Sequence, residues 1–166
     1  VQPISEIAAL RKGADELGLA LHLDGARIWN AHVASGVGFA EYGKYFDTIS
    51  VCLSKGLGAP VGSIMLSTKE RVAKARVWRK RYGAGMRQIG LLAAGAHYAL
   101  DSNIDRLAED HRRAQELARA IAAIDSSLID PTTVHTNIVG LDLAALPITA
   151  AELAARCKDA GLWISA

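Results

Sequence analysis

Apolar residues recur along this chain at two alternating periods. Ile4, Ile7, Ala8, Leu10 and Leu17 fall at helical spacing, and Gly18 is placed to end that helix. "LALHLD" then predicts a short buried strand ending at Asp24, where Gly25 lets the chain turn into a helical "ARIWNAHVAS" that stops at Gly36. "DTISVCLS" is rich in β-formers and predicts a central strand. "VGSIMLST" predicts another, close enough across Pro60 to form an antiparallel hairpin. Thr68 and Glu70 read as an N-terminal cap for "KERVAKARVWRKRYG", and "MRQIGLLAAGAHYAL" predicts an apolar helix. A long amphipathic helix follows in "NIDRLAEDHRRAQELARAIAAI", with Ile104, Leu107, His111, Ala114, Leu117 and Ile121 along one face. A strand "TNIVGLDL", a helix "TAAELAARCKDAG" capped by Gly161 and a strand "LWIS" close the chain.

This alternation predicts an α/β fold with a mainly parallel sheet. The last strand–helix–strand unit reads as the opening of a second, smaller α+β domain. Residues 1–102 then form part of a large domain, 103–124 a connecting helix and 125–166 the start of the small domain. Val1 is not a methionine, the chain opens almost inside a helix, and "AGLWISA" stops on a predicted strand, so an internal piece of a longer protein is expected.

Composition narrows the picture modestly. With 166 residues and 51% of them apolar, a sizeable core is within reach. A formal charge of +2 gives no global reason to expect nucleic acid. No stretch reaches the roughly 18 apolar residues that a membrane helix needs. Cys52 and Cys157 are too few and too scattered for a disulfide framework or a zinc site, so a reducing, cytoplasmic setting is expected.

Ligands of open α/β sheets bind beyond the carboxyl ends of strands. Asp24 and Lys55 occupy that position, each followed by a glycine that lets backbone approach a ligand. The two could form a buried ion pair. They could also form a pyridoxal phosphate site, with the lysine bonded to the cofactor aldehyde and the acid holding the proton on the pyridine nitrogen. Other candidates carry less. His22 alternates with Leu21 and Leu23 in a predicted buried strand, as a structural histidine does, and the remaining histidines have no metal-ligand spacing. Trp78 and Tyr82 beside arginines suit packing at an interface better than stacking on nucleic acid. Gly56, Gly58 and Gly62 form no dinucleotide fingerprint and shape the turn around Lys55.

"LHLDGARIWNA" and "SVCLSKGLGAPVGS" together resemble the low-specificity L-threonine aldolases, a family of the aspartate-aminotransferase-like, fold-type I pyridoxal-phosphate class. "WRKRYGAGMRQIG" and "HTNIV" extend the resemblance in the right order over essentially the whole chain. The resemblance implies a lyase that cleaves threonine or allo-threonine into glycine and an aldehyde, assembled as a homodimer or homotetramer. It makes Lys55 the lysine carrying pyridoxal 5'-phosphate as an imine, and Asp24 the partner of the ring nitrogen. Arg27, read as one helical turn from Asp24, would reach the substrate carboxylate or the cofactor hydroxyl. Lys80 and Arg87 match basic positions lining the family's active site, expected on a helical segment at a subunit interface; their alternative is a solvated basic face. No metal and no nucleic-acid or membrane partner is implied. The family's phosphate cradle, its ring-stacking histidine and its carboxylate-binding arginine have no match within residues 1–166. Alternative readings are another β-eliminating lyase of the same fold or a non-catalytic scaffold.

Overall fold

The computed structural model describes residues 1–166, which divide into two compact units, Val1–Asp110 and His111–Ala166. In the first unit, α1 (Ile4–Glu16) leads to β1 (His22–Gly25), α2 (Ile28–Ser35), α3 (Phe39–Gly43) and β2 (Thr48–Cys52). β3 (Ser63–Ser67), α4 (Lys69–Arg81) and α5 (Gly90–Ser102) follow, and α6 (Leu107–Ile124) begins before the division and continues past it. The second unit adds a single 3-10 turn at Pro131–Thr133 and α7 (Ala150–Asp159).

The sheet is mixed, in the order β1-β2-β3. β1 runs parallel to β2, with His22 to Gly25 opposite Thr48 to Val51. β2 and β3 pair antiparallel from Thr48 with Ser67 to Cys52 with Ser63, as the short connection through Pro60 requires. Side chains alternate across a strand. Leu23, Ile49 and Val51 therefore pack on one face with Ile7 of α1, Ile28 of α2 and Tyr42 of α3. Apolar cover stops short of β3, where Ile64, Met65 and Leu66 stay exposed. A second cluster joins Leu53, Leu57 and Ala59, just after β2, to Ala96 and Ala99 of α5.

Local signals set most element boundaries. Thr68 caps α4 by accepting the Arg71 amide at 3.4 Å, and Arg79, Lys80 and Arg81 complement the dipole in its last turn. Thr149 and Glu152 form a reciprocal capping box at the start of α7. Other boundaries depart from the sequence pattern. α5 starts at Gly90 rather than near Met86, because Gln88 has φ of +51° and cannot continue a right-handed helix. α6 starts at Leu107, after turns in which Leu107 and Ala108 donate to Ile104 and Asp105. Its packed stripe runs through Ala114, Ala118 and Ile121 against Ile129 and Val134 of the second unit, while Leu117 faces outward.

The expected strands in "TNIVGLDL" and "LWIS" do not form. A strand exists only beside a partner, and the second unit offers neither segment one; Asp142 N–H instead bonds singly to the Leu128 carbonyl at 2.8 Å. α3 and the 3-10 turn are elements that the periodicity did not announce.

One carboxylate ties the N-terminal side of the sheet together. Asp47 accepts the Leu21 amide and the Arg11 guanidinium, each at 2.9 Å, and bridges to Arg71 at 3.0 Å. Its backbone carbonyl takes the Ser67 hydroxyl at 2.6 Å. The Leu21 amide, then Arg11 and the charge of Arg71, hold the Asp47 carboxyl below its ordinary value. A depressed folded-state value contributes stability that is present above the ordinary carboxylate range and lost as pH falls through the depressed one. Asp47→Asn should lower the melting temperature at neutral pH and flatten its decline on acidification below pH about 4. Thermal scans of both proteins across that range check this; parallel acid slopes would remove Asp47 from the acid response.

Candidate active site

The parallel pairing of β1 with β2 brings two chain reversals to one edge of the sheet. Asp24 is registered opposite Ser50, and Lys55 follows the last residue of β2 by three positions. Registered partners point to the same face, so Asp24 shares the face that α1, α2 and α3 leave uncovered with Thr48, Ser50 and Cys52.

Asp24 is exposed, and its Oδ1 accepts the Ala26 amide at 3.1 Å, which fixes the carboxylate across the turn out of β1. Oδ2 has no protein donor. Gly25 is buried, and a Cβ there would lie 2.7 Å from the Ser50 carbonyl oxygen, so the two backbones approach to a distance that only glycine permits. Arg27 does not stand one helical turn from Asp24. The chain is strand through Gly25 and turn through Arg27, which is the N-cap of α2 with φ −129° and ψ 34°; its side chain is exposed.

Lys55 sits on a loop whose backbone is pinned from several sides. The Leu53 amide bonds to the Gly62 carbonyl at 2.9 Å and the Ala59 amide to the Leu53 carbonyl at 3.0 Å. The Gly58 amide bonds to the Lys55 carbonyl at 2.8 Å, closing a turn that Gly58 completes at φ +81°. Trp29 Nε1 donates to the Cys52 carbonyl at 2.8 Å, and Asn103 Nδ2 donates to the Leu57 carbonyl at the same distance. Leu57, 1% exposed, is sunk between the loop and α5. Asn30, the one buried polar side chain, lies beneath Gly56. The Lys55 side chain itself is exposed and bonded to nothing. No local signal marks Trp29, Asn30 or Asn103 as supports, since the groups they meet lie 23 to 46 residues away.

Asp24 and Lys55 form no ion pair, and neither is buried, so the pair does not have the form of a structural salt bridge. What remains is an unbonded amine on a rigid loop and a half-satisfied carboxylate on the same sheet edge. This donor set suits pyridoxal phosphate: an amine for its aldehyde and a carboxylate for its ring nitrogen.

The basic candidates lie on and beyond α4, no residue of which is buried. Lys80 Nζ folds back to the Gly85 carbonyl at 3.4 Å and lines a shallow depression with Arg76, Val77 and Arg81. Arg87 is exposed on the connection between α4 and α5, not on a helix, and is followed by the left-handed Gln88. Trp78 stacks on Tyr82 with centroids 5.9 Å apart and carries the Arg81 guanidinium at 4.9 Å. His22 is exposed rather than buried, and its Nδ1 pairs with Thr48 Oγ1 at 2.7 Å.

A family model described as beta-eliminating lyase matches residues 1–144. A protein of Arabidopsis thaliana named "Probable low-specificity L-threonine aldolase 2" is 42% identical over 98% of this chain and 46% of its own length. The low specificity L-threonine aldolase of Escherichia coli is 50% identical over 64% of this chain and 32% of its own length. The chain thus spans less than half of either relative. A solved structure from Exiguobacterium, described provisionally as an aromatic amino acid beta-eliminating lyase/threonine aldolase, superposes with a TM-score of 0.71 at 30% identity. It covers 75% of this chain and 36% of that one.

The close approach at Gly25 is directly testable. Gly25→Ala places a methyl against backbone, which cannot swing aside, and overpacking of this kind costs about 1–3 kcal/mol. A denaturant midpoint lowered accordingly, with unchanged slope, is the expected result; an unaltered midpoint would show that β1 separates from β2 without cost.

Proposed function

The chain belongs to the beta-eliminating lyase family, and on that premise we propose that the whole protein is a pyridoxal-phosphate-dependent carbon–carbon lyase. Its substrates are L-threonine and L-allo-threonine, cleaved to glycine and an aldehyde. The observation that carries this reading is the unbonded Lys55 amine on a pinned loop, at the same sheet edge as the Asp24 carboxylate. The names of the relatives at 42% and 50% identity support the choice of substrate.

In this reading the bound cofactor supplies an electron sink for breaking the bond between Cα and Cβ. Lys55 Nζ would hold the cofactor through its aldehyde and, when not bonded to it, would carry a proton to or from the substrate α-carbon. Asp24, whose Oδ1 accepts the Ala26 amide, would hold a proton on the cofactor's ring nitrogen with its charge. Arg27, exposed where α2 begins, offers a planar guanidinium to the substrate carboxylate or the cofactor hydroxyl. Lys80 and Arg87 contribute positive charge to the pocket, within one subunit or across an interface of a homodimer or homotetramer. The exposed Trp78–Tyr82–Arg81 stack supports the interface, since Trp, Tyr and Arg are enriched at such contacts.

Residues 1–102 serve in this proposal as the C-terminal half of the cofactor-binding domain, 103–124 as connector and 125–166 as the beginning of a smaller domain. No helix is long and apolar enough to cross a membrane. We place the protein in the cytoplasm and assign it no nucleic-acid partner. The description of the Exiguobacterium structure keeps a second reading in view, elimination of a leaving group from Cβ on the same lysine and acid.

Borohydride reduction of the whole protein loaded with pyridoxal phosphate should leave the label on the peptide containing Lys55; a label on Lys80 instead would overturn the assignment. Asp24→Asn keeps the acceptor for the Ala26 amide and removes the charge. Threonine cleavage should fall on the order of 10²-fold or more, as for loss of other groups that stabilise developing charge. Steady-state turnover of threonine, compared with release of a β-leaving group from a serine analogue, separates the two readings.

A further inference from the structure

We infer that Asn103 is a positioning residue for Lys55, an inference that rests on the assignment of Lys55 as the cofactor-bearing lysine. Asn103 is the C-cap of α5, and its backbone N–H closes the helix on the Ala99 carbonyl at 2.9 Å. Its side chain serves a different purpose. Nδ2 reaches across 46 residues of sequence to the Leu57 carbonyl at 2.8 Å. That carbonyl belongs to the turn closed by the Gly58 amide on the Lys55 carbonyl. A Cβ on Gly58 would sit 3.5 Å from the same Nδ2, so the amide group lies against the turn.

The same helix holds the loop by packing. Ala96 and Ala99 of α5 contact the cluster of Leu53, Leu57 and Ala59, and Gly95 lies so close to Pro60 that a Cβ would stand 3.1 Å from its ring. Small residues let α5 approach the loop, and Asn103, at its end, supplies the directional bond. The apolar contacts fix the depth of Leu57. The Asn103 side chain bonds to a carbonyl within the Lys55–Gly58 turn, and the orientation of that turn decides where the stem of Lys55 departs. An acceptor left unsatisfied in a packed setting is costly, so without the amide the turn relaxes. A displacement of about 1 Å at a reacting group can cost 10²-fold in rate.

Asn103→Leu and the isosteric Asn103→Asp both remove the donor, and Asn103→Gln keeps one on a longer arm. Each is made in the whole protein. Three readouts are taken: hydrogen exchange of the Gly58 and Ala59 amides without cofactor, the rate at which borohydride traps pyridoxal phosphate on Lys55, and kcat and KM for threonine. The donor-less variants should exchange roughly tenfold faster or more at these amides. They should also load Lys55 more slowly and lose kcat with KM little changed, while Asn103→Gln recovers part of each. If the variants only melt earlier, with exchange and loading at wild-type rates, Asn103 is a helix cap alone and the inference fails while the proposed function stands. If the wild-type protein is not labelled at Lys55, the functional assignment fails and the inference falls with it. Should Asn103→Leu not fold, the comparison of Asn103→Asp with Asn103→Gln decides.

Discussion

The parallel register of β1 with β2 is the constraint from which the site follows. A parallel pair places both C-terminal ends on one side of the sheet, so Asp24 and the loop carrying Lys55 emerge together although 31 positions separate them in sequence. Gly25 lets the strands close at that point, with backbone where a methyl would otherwise stand. The helices α1, α2 and α3 pack on the opposite face, through Ile7, Ile28 and Tyr42, and Asp24 stands exposed on the other. Had the pairing been antiparallel, the acid and the lysine would lie at opposite ends.

Rigidity around Lys55 comes from elements distant in sequence. Trp29 of α2 and Asn103 at the end of α5 bond to the carbonyls of Cys52 and Leu57, on either side of the lysine. Leu57 is sunk into the cluster below, so the loop is held by its backbone and its apolar underside while the amine projects free. Those bonds fix the backbone of the loop, so the conformational freedom left to Lys55 is that of its side chain.

Much of this was legible in the sequence where the signal is local. Gly18, Gly36, Thr68 and Gly161 end or begin helices as read, since a cap depends on one or two neighbouring residues. The β2–β3 hairpin and the place of Asp24 near the end of β1 were also legible, because alternation and turn chemistry are short-range, while Lys55 falls on the loop three residues past β2 rather than at its end. The strands expected after His135 were not, because apolar residues in a row describe a strand only when something pairs with them. Arg27 was misplaced because spacing of three implies a helical turn only inside a helix, and Asp24–Arg27 is a strand end and a turn. Arg87 was placed on a helix that Gln88 interrupts with its positive φ, which nothing in the residue type announces. The supports of the lysine loop were invisible for a simpler reason: asparagine and tryptophan at long range carry no period.

Strand β2 separates two kinds of charge. Asp47, with its ties to Leu21, Arg11 and Arg71, stands at its beginning, and Lys55 lies beyond its end. Five strand residues span about 16 Å, roughly twice the screening length at physiological ionic strength. At that separation the Asp47 charge, already paired with Arg11 and Arg71, adds little to the field at Lys55. Protonating Asp47 therefore acts on the frame far more than on the amine. A strand this short is nonetheless long enough to let durability and reactivity be adjusted one at a time.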